Sequence, residues 1–294
     1  MINNSTTSNA LRQALCVGGT SGIGRGMAMK FAQEKINVVI MGRNEKVGKE
    51  IVSEMKQLNP EGTYEMMVCD ASSMKEIVKA CEEFKKKHSR LDYVVLSQGI
   101  ATTEGRKETP EGIDTKLALH YYGRVMFIKQ LNDLLRETSK HTDVRVLNVF
   151  SAGVHKAYTN VNDLELKNDY SLLNAANAAG FYNDLAMDQF SREPGNENIS
   201  FIHAAPGFVA TNWGTELPTL LRWGTRFAQL FASSTETCAE NMMKGLTSDA
   251  MRRGFHLMNP KGEEIGKVTS SHNDVFRQAV WKHTNELLNQ ALSK

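Results

Sequence analysis

Long apolar runs and an excess of one charge are both absent from this sequence. No stretch of about 18 consecutive apolar residues occurs, and the opening segment MINNSTTSNALRQ has no basic part followed by an apolar one. We therefore expect neither a membrane-spanning segment nor a secretory signal peptide. The 35 Lys and Arg residues nearly balance the 33 Asp and Glu residues, and the charges are scattered. This pattern argues against nucleic acid or an anionic membrane as a partner.

Cysteine is also sparse. The four cysteines, Cys16, Cys69, Cys81 and Cys238, form no CxxC pair, so neither a zinc site nor a disulfide framework is expected, and no metal is predicted. Reduced thiols fit a cytoplasmic location. The 294 residues, 41% hydrophobic and 23% charged, are typical of a soluble globular protein with a sizeable core. Length alone permits one or two domains.

Seven short apolar segments alternate with longer amphipathic stretches. Each is rich in Val, Ile and Leu without polar alternation, which is typical of parallel strands buried on both faces. The segments are Ala14–Val17, Asn37–Met41, Tyr64–Cys69, Tyr93–Ser97, Val144–Phe150, Ile199–Ala204 and Phe255–Met258. This order predicts one α/β domain over residues 1–294, with a doubly wound, mainly parallel sheet of about seven strands and helices on both faces.

A glycine-rich run, GGTSGIG at residues 18–24, follows the first predicted strand. Its glycines allow a tight turn ahead of a helix expected to begin near Arg25, so that backbone N–H groups can approach a pyrophosphate. A glycine cluster on its own is compatible with an ordinary turn. The strand before it and the helix after it favour a dinucleotide site.

Arg43, in the sequence Gly42-Arg43-Asn44, stands 19 residues after Gly24. An NAD-type fingerprint carries an acidic residue about 20 residues on, where it binds the ribose 2′-hydroxyl. A guanidinium at this place can instead pair with a 2′-phosphate. The sequence therefore favours NADP(H) over NAD(H); the alternative is that Arg43 is a solvated loop charge.

These features resemble the short-chain dehydrogenase/reductase family, which has a Rossmann fold. Residues 17–24 match the TGxxxGIG signature except that Val17 replaces Thr, and residues 96–99, LSQG, keep only the glycine of NNAG. Asp70 matches the acidic position that holds the adenine, and residues 206–211 match PGxxxT, which closes over the nicotinamide. The resemblance spans almost the whole chain and is strongest to retinol-dehydrogenase-like and fungal biosynthetic members. It implies cofactor contacts from Gly18, Thr20, Ser21, Gly22, Ile23, Gly24, Arg43, Asn44, Asp70, Ala71, Ser97, Gln98, Gly99, Pro206, Gly207, Val209 and Thr211.

The resemblance also implies two catalytic residues, Ser151 and His120. In the family a Ser orients the carbonyl, a Tyr is the general acid or base, a Lys lowers the Tyr pKa, and an Asn on the preceding helix anchors a relay water. Ser151 matches the Ser, although a serine at a strand end is also a common turn residue. His120 occupies the Asn position. Its imidazole either takes over the proton relay or is a polar residue satisfied within the helix packing.

The family's Tyr and Lys have no counterpart here. Counting from Ser151 and from the PGxxxT motif places YxxxK at Ala176–Gly180, and an alternative register beginning at Tyr170 supplies a Tyr but no Lys. Because general acid–base catalysis contributes about 10²- to 10⁴-fold, its loss would slow hydride transfer without abolishing it. The substitute donors considered are His120, then Tyr121, Tyr122 and Tyr170. Tyr182 is predicted to pack or to face an interface.

Four further segments have predicted roles. Residues 212–235 are apolar near helical spacing, and the resemblance makes them a substrate lid, which implies a lipophilic small-molecule substrate. The alternatives are a helix packed on the core or a membrane-surface segment. The helices around Gly112–Glu137 and Ser171–Glu193 correspond to those through which family members dimerise, so a homodimer or homotetramer is expected. Small residues at 175–180 suit either an interface or close internal packing, and residues 271–292 predict a C-terminal helix.

Three functions follow in decreasing order of support. The first is an NADP-dependent oxidoreductase that reduces a carbonyl or oxidises an alcohol of a lipophilic small molecule, with altered proton-transfer residues. The second is a cofactor-binding member without redox activity, either a regulatory pseudoenzyme or an isomerase or dehydratase that reuses the pocket. The third is an interaction scaffold that has lost the cofactor.

Overall fold

Seven parallel strands form one sheet in the part of the chain that the computed structural model describes, residues 11–209, 233–267 and 269–294. The strands are β1 (Gln13–Val17), β2 (Asn37–Gly42), β3 (Tyr64–Val68), β4 (Tyr93–Leu96), β5 (Val144–Val149), β6 (Ile199–Ala204) and β7 (Gly254–Met258). Their spatial order is β3-β2-β1-β4-β5-β6-β7. All seven predicted strands are confirmed, and each boundary is within one residue of its prediction.

Helices cover both faces of the sheet. They are α1 (Gly22–Gln33), α2 (Glu45–Leu58), α3 (Met74–Lys87), α4 (Gly123–Ser139), α5 (Leu172–Ser191), α6 (Thr235–Thr247) and α7 (Asp274–Ser293). One apolar core contains α1, α2 and α6, and the other contains α3, α4, α5 and α7. No helix within the described ranges has the length and apolar character needed to cross a bilayer.

The first helix begins earlier than the sequence predicts. It starts at Gly22 rather than near Arg25, because the Arg25 N–H already donates to the Ser21 carbonyl at 3.1 Å and so closes the first helical turn. Ser21 precedes that turn with extended backbone, φ −160° and ψ 167°. The positive end of α1 therefore lies directly against the glycine-rich turn.

The carboxyl ends of four neighbouring strands meet at one edge of the sheet. Val17 of β1 pairs with Leu96 of β4, Leu96 pairs with Asn148 of β5, and Val149 pairs with Ala204 of β6. The chain order reverses between β1 and β4, and ligands of open α/β sheets bind at such a switch point. The segments that follow these strands are thus brought together although they lie far apart in sequence.

The predicted C-terminal helix is confirmed as α7, and it packs on α5. Phe276 stacks edge-on against Phe181, and Trp281 against Phe190 with ring centroids 5.0 Å apart. Lys129 of α4 places its Nζ over the Trp281 ring at 5.4 Å. This helix therefore covers part of the α4 and α5 surfaces that the resemblance assigns to a dimer. The small residues Ala175, Ala178 and Ala179 are buried within the chain itself, as close internal packing requires.

Candidate active site

The turn between β1 and α1 depends on two glycines for different reasons. Gly18 has φ +78°, which L side chains rarely adopt, and a Cβ on it would lie 2.8 Å from the Gln98 backbone nitrogen. A Cβ on Gly24 would lie 2.4 Å from both the Gly18 carbonyl oxygen and the Ser97 Oγ. Only a bare backbone lets α1 approach the turn and β4 this closely. The predicted phosphate-binding turn therefore has the geometry of a cradle for an anion at a helix N-terminus.

A cavity of about 380 Å³ opens above this turn, within the size range of small-molecule sites. It is bounded by the segments that follow β1, β2, β3 and β4. Eleven predicted cofactor residues line it, namely Gly18, Thr20, Ser21, Gly22, Ile23, Arg43, Asp70, Ala71, Ser97, Gln98 and Gly99.

The other predicted cofactor residues have different positions. Gly24 packs beneath the turn, and Asn44 caps α2 by accepting a 3.1 Å hydrogen bond from the Val47 N–H through its side-chain oxygen. Pro206, Gly207 and Val209 follow β6 but are not among the residues that line the cavity. Thr211 lies outside the described residues, as does almost all of the predicted lid at 212–235.

Two charged residues stand at the cavity rim. Arg43 is exposed and makes no ion pair with the described residues, which leaves its guanidinium available to a ligand. The Asp70 Oδ1 accepts hydrogen bonds from the Ser72 N–H at 2.9 Å and from the Ser72 Oγ at 2.7 Å. Those bonds fix the carboxylate in the turn after β3.

Gln98 lines the cavity, and its side-chain amide is buried and unpaired. The residue is 6% exposed, and neither its Oε1 nor its Nε2 has a hydrogen-bond partner among the described residues. Leaving buried amide atoms unpaired costs about 1–3 kcal/mol each, so the side chain suits a ligand that supplies partners. Its backbone carbonyl, by contrast, accepts a hydrogen bond from the Arg124 guanidinium.

Arg124 of α4 is a buried cation without a carboxylate partner among the described residues. Its guanidinium donates to the Val149 carbonyl at 2.8 Å and to the Asn148 side chain, and burial lowers its pKa to about 9. Asn148 in turn donates to the Asn183 Oδ1 at 2.7 Å, and Asn183 donates to the His120 carbonyl at 2.8 Å. This network ties β5, α5 and the turn before α4 into one rigid unit.

His120 lies on a π turn, Ala118–Tyr122, a local irregularity that often marks functional sites. Its Nε2 accepts a 2.9 Å hydrogen bond from the Ile100 N–H. Burial lowers the pKa of His120 to about 3, with a contribution from Arg124. A neutral ring whose Nε2 already accepts a backbone bond is a poor acid at neutral pH. This geometry favours the second interpretation of His120, a polar residue satisfied by its surroundings that holds the loop after β4.

Ser151 lies beside a buried His–Asp–His cluster that sequence reasoning missed. The His155 Nδ1 is 2.7 Å from the Ser151 carbonyl oxygen and 3.3 Å from the Ser151 Oγ, and the His155 Nε2 is 3.1 Å from the Asp184 Oδ2. His203 contacts Asp184 through Nδ1, and its Nε2 accepts from the Ser151 N–H at 3.1 Å. The available signals were a histidine four residues after Ser151, a lone histidine in an apolar strand, and Asp184, one of two acidic residues within α5.

The segment expected to carry Tyr and Lys lies on α5 beside Ser151. Ala176 is exposed, whereas Gly180 is buried, and a Cβ on Gly180 would lie 2.4 Å from the Ser151 Oγ and 2.6 Å from the His155 Nδ1. The imidazole of His155 therefore occupies the space into which a side chain at position 180 would project.

The tyrosines considered as substitute donors lie elsewhere. The Tyr121 hydroxyl is hydrogen-bonded to the Thr284 Oγ1 of α7 at 2.7 Å, and burial raises its pKa. Tyr122 is fully buried, with an unpaired hydroxyl and a raised pKa. Tyr170 packs against Lys116, whose Nζ is 5.6 Å from its ring. Tyr182 is buried and donates to the Leu164 carbonyl at 3.3 Å, so it packs as predicted. No described tyrosine hydroxyl is hydrogen-bonded to Ser151.

Comparisons with known proteins identify the family and the fold of this chain. The family described as short chain dehydrogenase matches residues 12–219. The chain belongs to the short-chain dehydrogenase family. Members of this family bind nicotinamide cofactors, and the residues present fit one: the turn admits no Cβ at Gly24, and Gln98, which lines the cavity, has an unpaired buried amide.

Curated relatives of this chain carry oxidoreductase names. Oxidoreductase AN1596 of Emericella nidulans is 30% identical, with 96% of this chain and 94% of the relative aligned. Polyprenol dehydrogenase of Homo sapiens is 28% identical over 94% of this chain and 84% of its own length. The crystal structure of levodione reductase has the same fold, with a TM-score of 0.66 at 18% identity over 85% of this chain and 96% of that one.

Proposed function

We propose that this chain is an NADP-dependent oxidoreductase that interconverts a carbonyl and an alcohol of a lipophilic small molecule. The observation that carries the cofactor choice is Arg43, an exposed guanidinium at the rim of the glycine-lined cavity with no ion pair among the described residues. A phosphate on the ribose would give it a charge-assisted partner. A metagenomic short-chain oxidoreductase of the same fold was crystallised with NADP, with a TM-score of 0.61 at 18% identity.

The chain's own residues have separable tasks. The turn from Gly18 to Gly24 and the start of α1 hold the pyrophosphate, Arg43 binds the 2′-phosphate, and Asp70 holds the adenine. Gln98 donates to and accepts from the ribose or nicotinamide half. The bound cofactor supplies or accepts the hydride. Ser151 orients the substrate carbonyl through its Oγ. The resemblance assigns closure over the nicotinamide to Pro206, Gly207, Val209 and Thr211, of which Thr211 lies outside the described residues.

Two observations support a lipophilic substrate. Three apolar side chains are exposed near the sheet edge that carries Ser151. Val154, in the loop after β5, is 75% exposed, Leu173 at the start of α5 is 68% exposed, and Phe208, after β6, is 48% exposed. A relative aligned over nearly the whole chain is named for a polyprenol, a long isoprenoid alcohol. The apolar sequence of residues 212–235 adds to this support, although its structure lies outside the described residues.

The cofactor proposal is tested by titrating the protein with NADPH and with NADH and following cofactor fluorescence. We expect Arg43→Ala to weaken NADPH binding about tenfold to hundredfold, the value of a charge-assisted hydrogen bond, and to leave NADH binding unchanged. Arg25→Ala is the matched control, because Arg25 lies near the same turn but already pairs with Glu54. Equal loss of both cofactors in Arg43→Ala would contradict the assignment of the 2′-phosphate.

A second candidate function is a cofactor-binding protein without redox activity, favoured by the absence of a described tyrosine hydroxyl on Ser151. Single-turnover oxidation of NADPH with a panel of lipophilic ketones separates the two. Cofactor binding without oxidation of NADPH would favour this second function.

We also propose that the homodimer or homotetramer expected from the resemblance uses surfaces other than the parts of α4 and α5 under α7. Light scattering of the full chain gives the mass directly. A dimer that dissociates when the buried Phe181 of α5 is replaced, without loss of folding, would contradict this proposal.

A further inference from the structure

The protonation states of the cluster beside Ser151 follow from its geometry. The His155 Nδ1 lies 2.7 Å from the Ser151 carbonyl oxygen, which can only accept, so Nδ1 carries a proton. Nε2 lies 3.1 Å from the Asp184 Oδ2 in an ion-pair contact, although the two atoms are not aligned as a hydrogen bond. A buried carboxylate at this distance stabilises the protonated ring, so His155 is an imidazolium. Burial lowers the pKa of His155, but its contact with Asp184 outweighs burial and the net pKa is raised.

His203 is held in the opposite state. Its Nε2 accepts the Ser151 N–H at 3.1 Å and therefore has no proton, so its Nδ1–H donates to Asp184. Burial lowers the pKa of His203, in spite of Asp184 and with a contribution from Arg124. The titratable and charged groups around His155 are thus the Asp184 carboxylate on α5, the neutral His203 imidazole on β6 and the Arg124 cation on α4. The pair of Asp184 and His155 is an ion pair with one proton available at Nδ1.

The local backbone brings that proton to Ser151. Gly153, with φ +70°, reverses the chain, and the Val154 N–H donates to the Ser151 carbonyl at 3.0 Å, so His155 returns over the serine four residues earlier. Its Nδ1 lies 3.3 Å from the Ser151 Oγ. The side chain of His155 is only 2% exposed, whereas Ser151 is partly exposed. Ser151 follows β5 and is not among the residues that line the cavity above the glycine turn.

Gly180 makes this arrangement possible. Its absent Cβ would lie 2.4 Å from the Ser151 Oγ and 2.6 Å from the His155 Cγ, so a residue with a side chain would displace both groups. Residue 180, at which the resemblance expects Lys, therefore has no side chain, and the His155 imidazole occupies the space that a side chain there would need.

We propose that His155, held by Asp184, supplies the proton that a substrate carbonyl receives through the Ser151 hydroxyl. This inference rests on the proposed function. As the carbonyl carbon accepts a hydride and its C=O π bond breaks, the carbonyl oxygen takes the Ser151 Oγ–H proton. Ser151 recovers a proton from the His155 Nδ1, and His155 is left neutral until it takes a proton from water. In this step the Ser151 hydroxyl contacts the substrate. His155 does not contact the substrate; it positions Ser151 and resupplies its proton.

The same three residue types also occur in hydrolytic Ser–His–Asp triads, but the geometry here does not fit that chemistry. A general base needs an unprotonated nitrogen facing the serine hydroxyl. The His155 nitrogen that faces Ser151 donates to the Ser151 carbonyl instead. The cluster therefore holds an acid, not a base, beside the hydroxyl.

The first test needs neither cofactor nor substrate. Protein labelled with ¹⁵N-histidine is titrated by NMR, and the assignment of the His155 signals comes from their loss in His155→Gln. We expect both His155 nitrogens to be protonated at pH 7 and the His155 pKa to fall in Asp184→Asn. A neutral His155 at pH 7 in the wild type would overturn the relay while leaving the proposed function untouched.

The second test is the pH dependence of NADPH oxidation with 2-decanone and acetophenone as probes. The wild-type rate should fall as pH rises through the His155 pKa found by NMR, and His155→Gln should be about 10²-fold slower, without that fall. Gly180→Ala should show the same slower rate and the same loss of pH dependence as His155→Gln, because its methyl group displaces the Ser151 hydroxyl and the His155 ring. His272→Gln is the matched control: it removes another buried His–Asp contact, 3.0 Å to Asp188, away from Ser151.

The outcomes separate the two proposals. Turnover in His155→Gln with the wild-type rate and pH profile, in protein shown by circular dichroism to be folded, would overturn the relay alone. Absence of turnover in the wild type with both probes, despite tight NADPH binding, would overturn the proposed function and the relay with it. Loss of activity in His272→Gln equal to that in His155→Gln would identify the effect as general structural damage and reject the relay.

Discussion

The glycine turn after β1 and the polar cluster after β5 lie at the same edge of the sheet but are built in opposite ways. The turn is contiguous, and its essential property is backbone without side chains, as at Gly18 and Gly24. The cluster joins Ser151, His155, Asp184 and His203, which come from a loop, a helix and a strand. The first site is a local property of the chain, whereas the second exists only when distant segments pack. Substitutions in the turn should therefore mainly lower cofactor affinity, whereas substitutions in the cluster should mainly lower the unfolding free energy.

The largest effect is expected from Asp184→Asn. The carboxylate is buried between two imidazoles, and its loss leaves the His155 cation unpaired, which typically costs about 3–5 kcal/mol of unfolding free energy. Urea unfolding at pH 7 measures this loss. If the two sites are independent, the folded variant should bind NADPH within threefold of the wild type.

Asp143→Asn provides the control for that variant. Asp143 pairs with Arg252 at 2.8 Å on the surface, where ion pairs contribute about 0–1 kcal/mol. Similar losses in the two variants would mean that the buried cluster contributes little to stability.

Gly24→Ala should show the reverse pattern. The added methyl group meets the Gly18 carbonyl oxygen, so the turn must move, and we expect NADPH affinity to fall at least about 30-fold, or about 2 kcal/mol. Fluorescence titration measures it. Gly105→Ala is the control, because a Cβ there meets no atom within 4 Å. Unchanged affinity in Gly24→Ala would show that the close approach of α1 to the turn is not needed for binding.

A smaller and pH-dependent effect is expected from His120, which connects the two regions. Its folded pKa of about 3 lies below the unfolded value of about 6.5, so between these values the unfolded chain binds the extra proton. The stability that neutral His120 contributes is complete above pH 6.5 and falls as pH falls toward 3. At pH 5 the unfolding free energy should be lower by about 2 kcal/mol on account of His120.

In His120→Asn this part of the acid sensitivity should disappear. Unfolding free energies of the wild type and the variant at pH 7.5 and pH 5 provide the measurement, and the other histidines cancel in the difference. Parallel pH profiles for the two proteins would contradict the lowered pKa of His120.

The smallest effect is expected from Ser97→Ala. The Ser97 Oγ donates to the Val17 carbonyl at 2.9 Å and so joins β4 to the end of β1, a contribution of about 1 kcal/mol. Ser53→Ala removes a similar bond, to the Lys49 carbonyl at 3.1 Å, from the exposed face of α2 and should cost less. Thermal unfolding compares the two. If Ser97→Ala lowered the unfolding free energy by more than about 3 kcal/mol, the glycine turn would depend strongly on its contact with β4 and would not be a local property of the chain.

Sequence reasoning predicted the sheet closely because its strands are buried on both faces and therefore read as unbroken apolar segments, such as Ile199–Ala204. It also placed the glycine-rich turn between β1 and α1, since glycine, strand and helix signals are contiguous there. It misplaced the start of α1 by three residues, because the Ser21 carbonyl already accepts the first helical bond. His120 was assigned a proton-relay role as one possibility, and the hydrogen bond from Ile100 that argues against this role comes from a different segment.

The sequence by itself determined the order of strands and helices, the glycine turn and the arginine at its rim, because periodicity and local backbone freedom act over a few residues. Only the tertiary structure decided that α7 covers α5, that Gly180 makes room for an imidazole, and that His155 and His203 both contact Asp184. Those properties depend on which atoms face one another in a buried, weakly polarisable interior. One buried carboxylate there contacts both rings, and no spacing along the chain records that.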